Sequence, residues 1–185
     1  ASRIAHQWPD SHVARISLLL ALSRIDLPNA LIAYLRRWPP VDDLSSTALK
    51  SILQQTSARS CSYLMDYLHL VAEPSIRCLI LSEAVAKCPE QREPWMRIAF
   101  HAVNAQYRET ACDLCRRWGL SAYVDELSRL LEDADVRVRA RAAAALGRLG
   151  GPEHAPLLAR VVTRQGFEAQ RAAAHALFEL GEGGL

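Results

Sequence analysis

Along residues 136–149 the apolar positions recur at intervals of three and four, which is the period of a helix with one buried face. At roughly 100° per residue, Val138, Ala142, Ala145, Leu146 and Leu149 share that face. Arg137, Arg141 and Arg148 fall on a stripe beside it and Arg139 on the opposite flank. The same spacing groups Tyr123, Leu127, Leu130 and Leu131 within 122–131, and Leu158, Val161 and Val162 within 152–162. Extended along the chain, the pattern predicts helices near 12–25, 29–38, 44–56, 59–71, 75–87, 94–106, 108–118, 121–132, 136–149, 153–164 and 167–180. The breaks fall at Leu27-Pro28, Pro39-Pro40, Glu73-Pro74, Cys88-Pro89, Glu93-Pro94, Gly119 and Gly150-Gly151-Pro152. No segment keeps a period of two, so no strand is predicted.

The helices also repeat. Residues 141–150 overlay residues 172–181 at an offset of 31, matching Ala142, Ala143, Ala145, Leu146, Leu149 and Gly150 to Ala173, Ala174, Ala176, Leu177, Leu180 and Gly181. Residues 14–26 show the same ending, with Ala21, Leu22 and Ile25 in the Ala, Leu and Leu positions. Small alanines beside leucines let a neighbouring helix come close. The closing glycine suits a left-handed stop, and Asp133 or Asp135 can cap the start. About eleven short helices with short links make roughly five to six antiparallel pairs, each leaving an apolar face for the next pair to cover. The predicted fold is therefore all-α, an α-solenoid, with residues 1–185 as one repeat domain and the clearest repeats at 121–150 and 152–181.

Composition narrows this further. Half of the 185 residues are apolar but only 6% are aromatic, which suits helices packed through small side chains. The net charge of +2 gives no strong pull toward nucleic acid or an anionic membrane. Twenty arginines stand against two lysines, Lys50 and Lys87, a skew that reads as a GC-rich bacterial coding bias. The apolar runs, Leu18 to Leu22 among them, fall far short of the roughly 20 residues of a membrane span. No signal-peptide pattern opens the chain. Five cysteines, an odd and sparse set, are expected to be reduced thiols in a cytoplasmic protein.

Residues 130–150, "LLEDADVRVRARAAAALGRLG", resemble the HEAT-like repeat found in phycobilisome lyases and bacterial scaffold proteins. That pattern runs Asp-x-Asp-Pro-x-Val-Arg, an Ala-rich helix, then Ala-Leu-Gly-x-Leu-Gly. Asp133, Asp135, Val138, Arg139, Ala145, Leu146, Gly147, Leu149 and Gly150 occupy matching places, with Val136 where proline is usual. "EPSIR" (73–77) and "EPWMR" (93–97) echo the loop, whereas Ala169 and Gln170 replace Val-Arg in the last copy. The resemblance implies a HEAT-like superhelix in which Arg139 pairs with the loop aspartates, Asp133 and Asp135, as a ladder between repeats. It also makes 12–25, apolar almost all round, the second helix of a pair whose first is missing. The array is thus expected to be cut from a longer protein, or covered at that end by Ala1–Asp10 or another chain.

Chemistry-bearing motifs are few. "CDLC" (112–115) lacks the second ligand pair of a zinc site, and its thiols read as small core fillers. "LRRWPP" (35–40) and "CRRWGL" (115–120) place Arg-Arg-Trp at helix ends, where cations complement the helix dipole. The six histidines are scattered, and no catalytic or phosphate-loop motif appears. No metal or cofactor is expected.

The sequence therefore points to a non-catalytic protein-interaction or scaffold module. Its candidate concave stripe is Arg137, Arg141, Arg148 and Arg171, meeting another protein with an acidic surface. The resemblance implies two alternatives. A bilin lyase needs a polar, carboxylate-lined cavity, for which no residue cluster can be named. A HEAT-like DNA-repair or nucleic-acid-binding module needs a strongly basic groove with aromatic wedges.

Overall fold

The computed structural model describes residues 73–163 and 166–182, with six single helical positions before them. Those six, Ser17, Ala21, Arg37, Thr47, Leu64 and Leu68, fall inside the four helices expected before residue 72, which otherwise lie outside the described residues. The chain divides into two compact units, Ala1–Glu90 and Gln91–Leu185.

In the first unit, α1 (Pro74–Lys87) starts where Glu73 folds its carboxylate back to accept from the Ile76 amide at 2.9 Å. Pro74 occupies the first turn, where its missing N–H costs nothing. Ile76, Ile80, Leu81, Ala84 and Val85 are buried, and the chain leaves the helix at Cys88. Cys88 is disulfide-bonded, its partner lying outside the described residues. This corrects the expectation of five reduced thiols; a sparse, odd cysteine count carried no sign of it.

The second unit is a row of long helices, each with a shorter helix packed on it. Its long members are α3 (Ala105–Trp118), α5 (Val136–Leu149) and α7 (Phe167–Glu182), which start 31 residues apart. Its short members are α2 (Arg92–Phe100), α4 (Val124–Leu130) and α6 (Ala155–Val162). Each short helix folds back on the long helix after it, and α3, α5 and α7 pack side by side, α5 in the middle. The seven helices among the described residues correspond one for one to those expected after residue 72, and no strand occurs among them.

The register comes from local chemistry repeated at equal spacing. Asn104 caps α3 by accepting from the Gln106 amide, and Asp135 caps α5 by accepting from the Arg137 amide, each at 2.8 Å. Position 166, next in the series, is a glycine at φ +124°. Gly119 ends α3 in the left-handed conformation (φ 63°, ψ 38°). Gly150 does not: it is extended (φ −78°, ψ 171°), and Gly181 lies within α7, so the expected left-handed stops are corrected at both. Gly151 must be extended before Pro152, and Gly150 leads straight into it.

One boundary also moves. The helix expected over 94–106 ends at Phe100, and the next begins at Ala105 rather than 108. The cap is Asn104, and Arg108 holds the turn before it by donating from Nη1 to the Ala102 and Val103 carbonyls at 2.7 and 2.8 Å.

The core follows the small-residue pattern. Ala111, Cys112 and Cys115 of α3, Ala142, Ala143, Ala145 and Leu146 of α5, and Ala173 and Ala176 of α7 are all buried. Val138 is buried as expected, while Leu149 is half-buried. At Gly147 α5 and α7 are in close contact: a Cβ added there would lie 2.7 Å from the Cα and Cβ of Ala176.

Candidate functional site

The exposed face of α3, α5 and α7 carries the arginines that the sequence singles out, and the structure sorts them into two kinds. Arg137 reaches Glu109 of α3 at 3.2 Å and Asp135 at 3.1 Å, and Arg141 reaches Asp113 of α3 at 3.5 Å. Glu109 and Asp113 sit one helical turn apart, so a short column of carboxylates on α3 faces a column of guanidinium groups on α5. The guanidinium ends of these pairs are solvated, which holds each pair to about 0–1 kcal/mol; their main effect is to neutralise the stripe. Arg148 and Arg171 are exposed and have no carboxylate within ion-pairing distance among the described residues. The expected stripe of four thus splits into two engaged and two unengaged cations.

The loop before α5 holds a more buried arrangement. The Asp133 carboxylate accepts from Arg108 Nε at 2.7 Å and Nη2 at 2.8 Å, and from the Asp135 amide at 2.9 Å. Burial alone would push the Asp133 carboxyl up, but the bonds from Arg108 and the Asp135 amide outweigh it and hold the group below the ordinary carboxylate range. The hydrogen bond to Asp133 in turn raises Arg108. Asp135 is also lowered, chiefly by its hydrogen bond from Arg137.

Arg139, expected to pair with these aspartates, instead donates from Nη1 to the Asp133 and Ala134 carbonyls at 2.8 and 3.0 Å. It repeats the action of Arg108 on Ala102 and Val103 at the corresponding positions 31 residues on. The rung between repeats is therefore Arg108 to Asp133. Sequence reasoning missed Arg108, Glu109 and Asp113, although the 31-residue offset from Arg139 leads directly to Arg108.

Cys112 and Cys115 are free and fully buried. Burial pushes both thiols up, Cys115 to about 12. Neither is expected to react with a thiol-specific disulfide reagent at pH 8 while the chain is folded, and both should react in denaturant. Peptide mapping of native label at either position would overturn this.

Among the described residues no group of three or more potential metal ligands occurs. His154 Nδ1 accepts from the Gly151 amide at 3.1 Å, and His175 lies beside Glu179 at 3.6 Å. Among the described residues, no helix is long and apolar enough to cross a membrane.

The paired short and long helices, their 31-residue period and the Arg–Asp rung coincide with a match between residues 93–177 and the family model for HEAT repeats. Residues 93–177 are HEAT repeats. No curated protein matches the chain significantly. Within the HEAT segment, α2–α3 and α4–α5 are complete pairs, and the match runs on through α6 into α7.

Proposed function

We propose that the chain is a non-catalytic protein-interaction module, a HEAT-like superhelix whose exposed row of long helices meets a partner protein. The observation that carries this reading is the row itself. HEAT repeats commonly mediate protein interactions, and three long helices held at one spacing present an ordered, solvent-facing strip of side chains. Arg148 and Arg171, the unengaged members of the stripe, are its contact residues. Arg137 and Arg141 spend their charge on Glu109 and Asp113 and serve mainly to align α5 with α3.

Affinity capture from the source cell, with mass spectrometry, tests the reading. The Arg148→Glu/Arg171→Glu variant should retain at least about tenfold less of the wild-type partner, since reversing exposed contact charges weakens association. Its helical circular dichroism should be unchanged. A partner captured equally by both proteins would remove these residues from the interface.

A further inference from the structure

The ends of α3 and α5 differ from the rest of the row. Arg116 and Arg117 close α3, and Arg148 closes α5. All three are exposed, and no carboxylate lies within ion-pairing distance of any of them among the described residues. Arg117 and Arg148 occupy the same position of the 31-residue register, so they stand level on neighbouring helices. Beside them Trp118 is 43% exposed, with the Arg92 guanidinium 5.9 Å from its ring centroid.

Cations at helix ends offset the helix dipole, but the arithmetic leaves a surplus. Two helix C-termini supply roughly half a negative charge each, against three guanidinium groups. About two positive charges remain on the ends of α3 and α5, next to an exposed aromatic ring, while Glu179 holds the same register position on α7 and lies against Gly147. Along α5 the other stripe arginines, Arg137 and Arg141, are neutralised by Glu109 and Asp113, and α7 carries exposed Glu168 as well as the unengaged Arg171. A phosphodiester backbone following the row would run into those carboxylates, whereas a short acidic segment crossing the edge would not.

We propose that this edge, formed by Arg116, Arg117 and Arg148 beside Trp118, docks an acidic segment of a partner protein. The proposal rests on the interaction-module reading and names the partner's chemistry. Packed helices lie about 8–10 Å apart, and alternate side chains of an extended chain about 7 Å apart. Long arginine side chains bridge the difference, so carboxylates at alternate or third positions can each meet a guanidinium group. An apolar residue between them covers the Trp118 ring.

The test uses the full chain and fluorescence anisotropy with a labelled octaglutamate peptide carrying a central leucine, and an oligothymidylate of equal charge, at low and physiological salt. The peptide should bind more tightly than the oligothymidylate. Arg117→Glu/Arg148→Glu should weaken it at least about tenfold, and reversal of an exposed arginine outside the row, Arg129→Glu on α4, by no more than about twofold. Peptide affinity unchanged by the edge reversal, no peptide binding at low salt, or tighter binding of oligothymidylate would each overturn the proposal. If instead Arg171→Glu abolishes peptide binding and the edge reversal does not, the edge is wrong while the interaction-module reading survives. That broader reading stands or falls on the capture experiment alone.

Discussion

Asp133→Ala is expected to lower the unfolding free energy by about 3–5 kcal/mol, because removing one partner of a buried pair leaves the other charge uncompensated. The side chains of Arg108 and Asp133 are only 15% and 6% exposed, and two parallel bonds join them. Losing the carboxylate strands the Arg108 guanidinium and frees the Asp135 amide, so the start of α5 and the turn before α3 loosen together. Urea unfolding at pH 7 measures the loss. Arg108→Met/Asp133→Leu should recover much of it, since well-packed apolar pairs often replace buried ion pairs without penalty.

The pair also makes a pH prediction. The Asp133 carboxyl is depressed in the folded chain, so its contribution is fully present above the unfolded value of about 3.9. It is lost as pH falls through the folded value, where protonation removes the charge. Wild type and Asp133→Asn should therefore differ most at neutral pH and converge in acid. A stability gap that stays constant from pH 6 to pH 2 would falsify the assignment of this rung.

Gly147→Leu is expected to cost about 3 kcal/mol, the upper range for overpacking a close-packed contact. The first added carbon would already sit 2.7 Å from backbone and side chain of Ala176, and a whole side chain forces α5 away from α7. Gly147→Ala sets two effects against each other. Helix propensity favours alanine by about 1 kcal/mol, while the clash with a backbone carbon costs about 1–3 kcal/mol, so a smaller net loss is expected. Gly181→Ala is the control, because nothing lies within 4 Å of an added Cβ there. It should be neutral or stabilise by up to about 1 kcal/mol. Thermal unfolding of the three variants decides between crowding and a general intolerance of change at helical glycines.

Much of the fold was legible because helix period and punctuation are local. Val138, Ala142, Ala145 and Leu146 announced a buried face, and Pro74, Gly119 and Pro152 marked ends. The break at 101–104 was not legible because its signal is a lone Asn104 in a run without proline or glycine. The 31-residue offset between the last two repeats extends back to α3 and α1, with Glu73, Asn104 and Asp135 at equal spacing. Glu109, Cys112, Asp113 and Leu114 of α3 stand where α5 has Ala140, Ala143, Ala144 and Ala145, and that substitution hid the likeness. The site was legible only in half. Arg137 and Arg141 could be placed on a stripe, but their partners Glu109 and Asp113 lie on another helix, and which helices lie side by side is a tertiary fact. Arg148 and Arg171 looked the same as the others in sequence; only packing shows that they are left unengaged.

The close approach at Gly147 makes the row mechanically uneven. Where α5 meets α7, main chain touches main chain, and that joint has no slack. Where α3 meets α5, the outward side is spanned by long arginine and carboxylate arms that tolerate ångströms of sliding, while Arg108 and Asp133 pin one end. Under load, α3 is therefore expected to part from α5 at the Arg117 and Arg148 ends before α5 parts from α7.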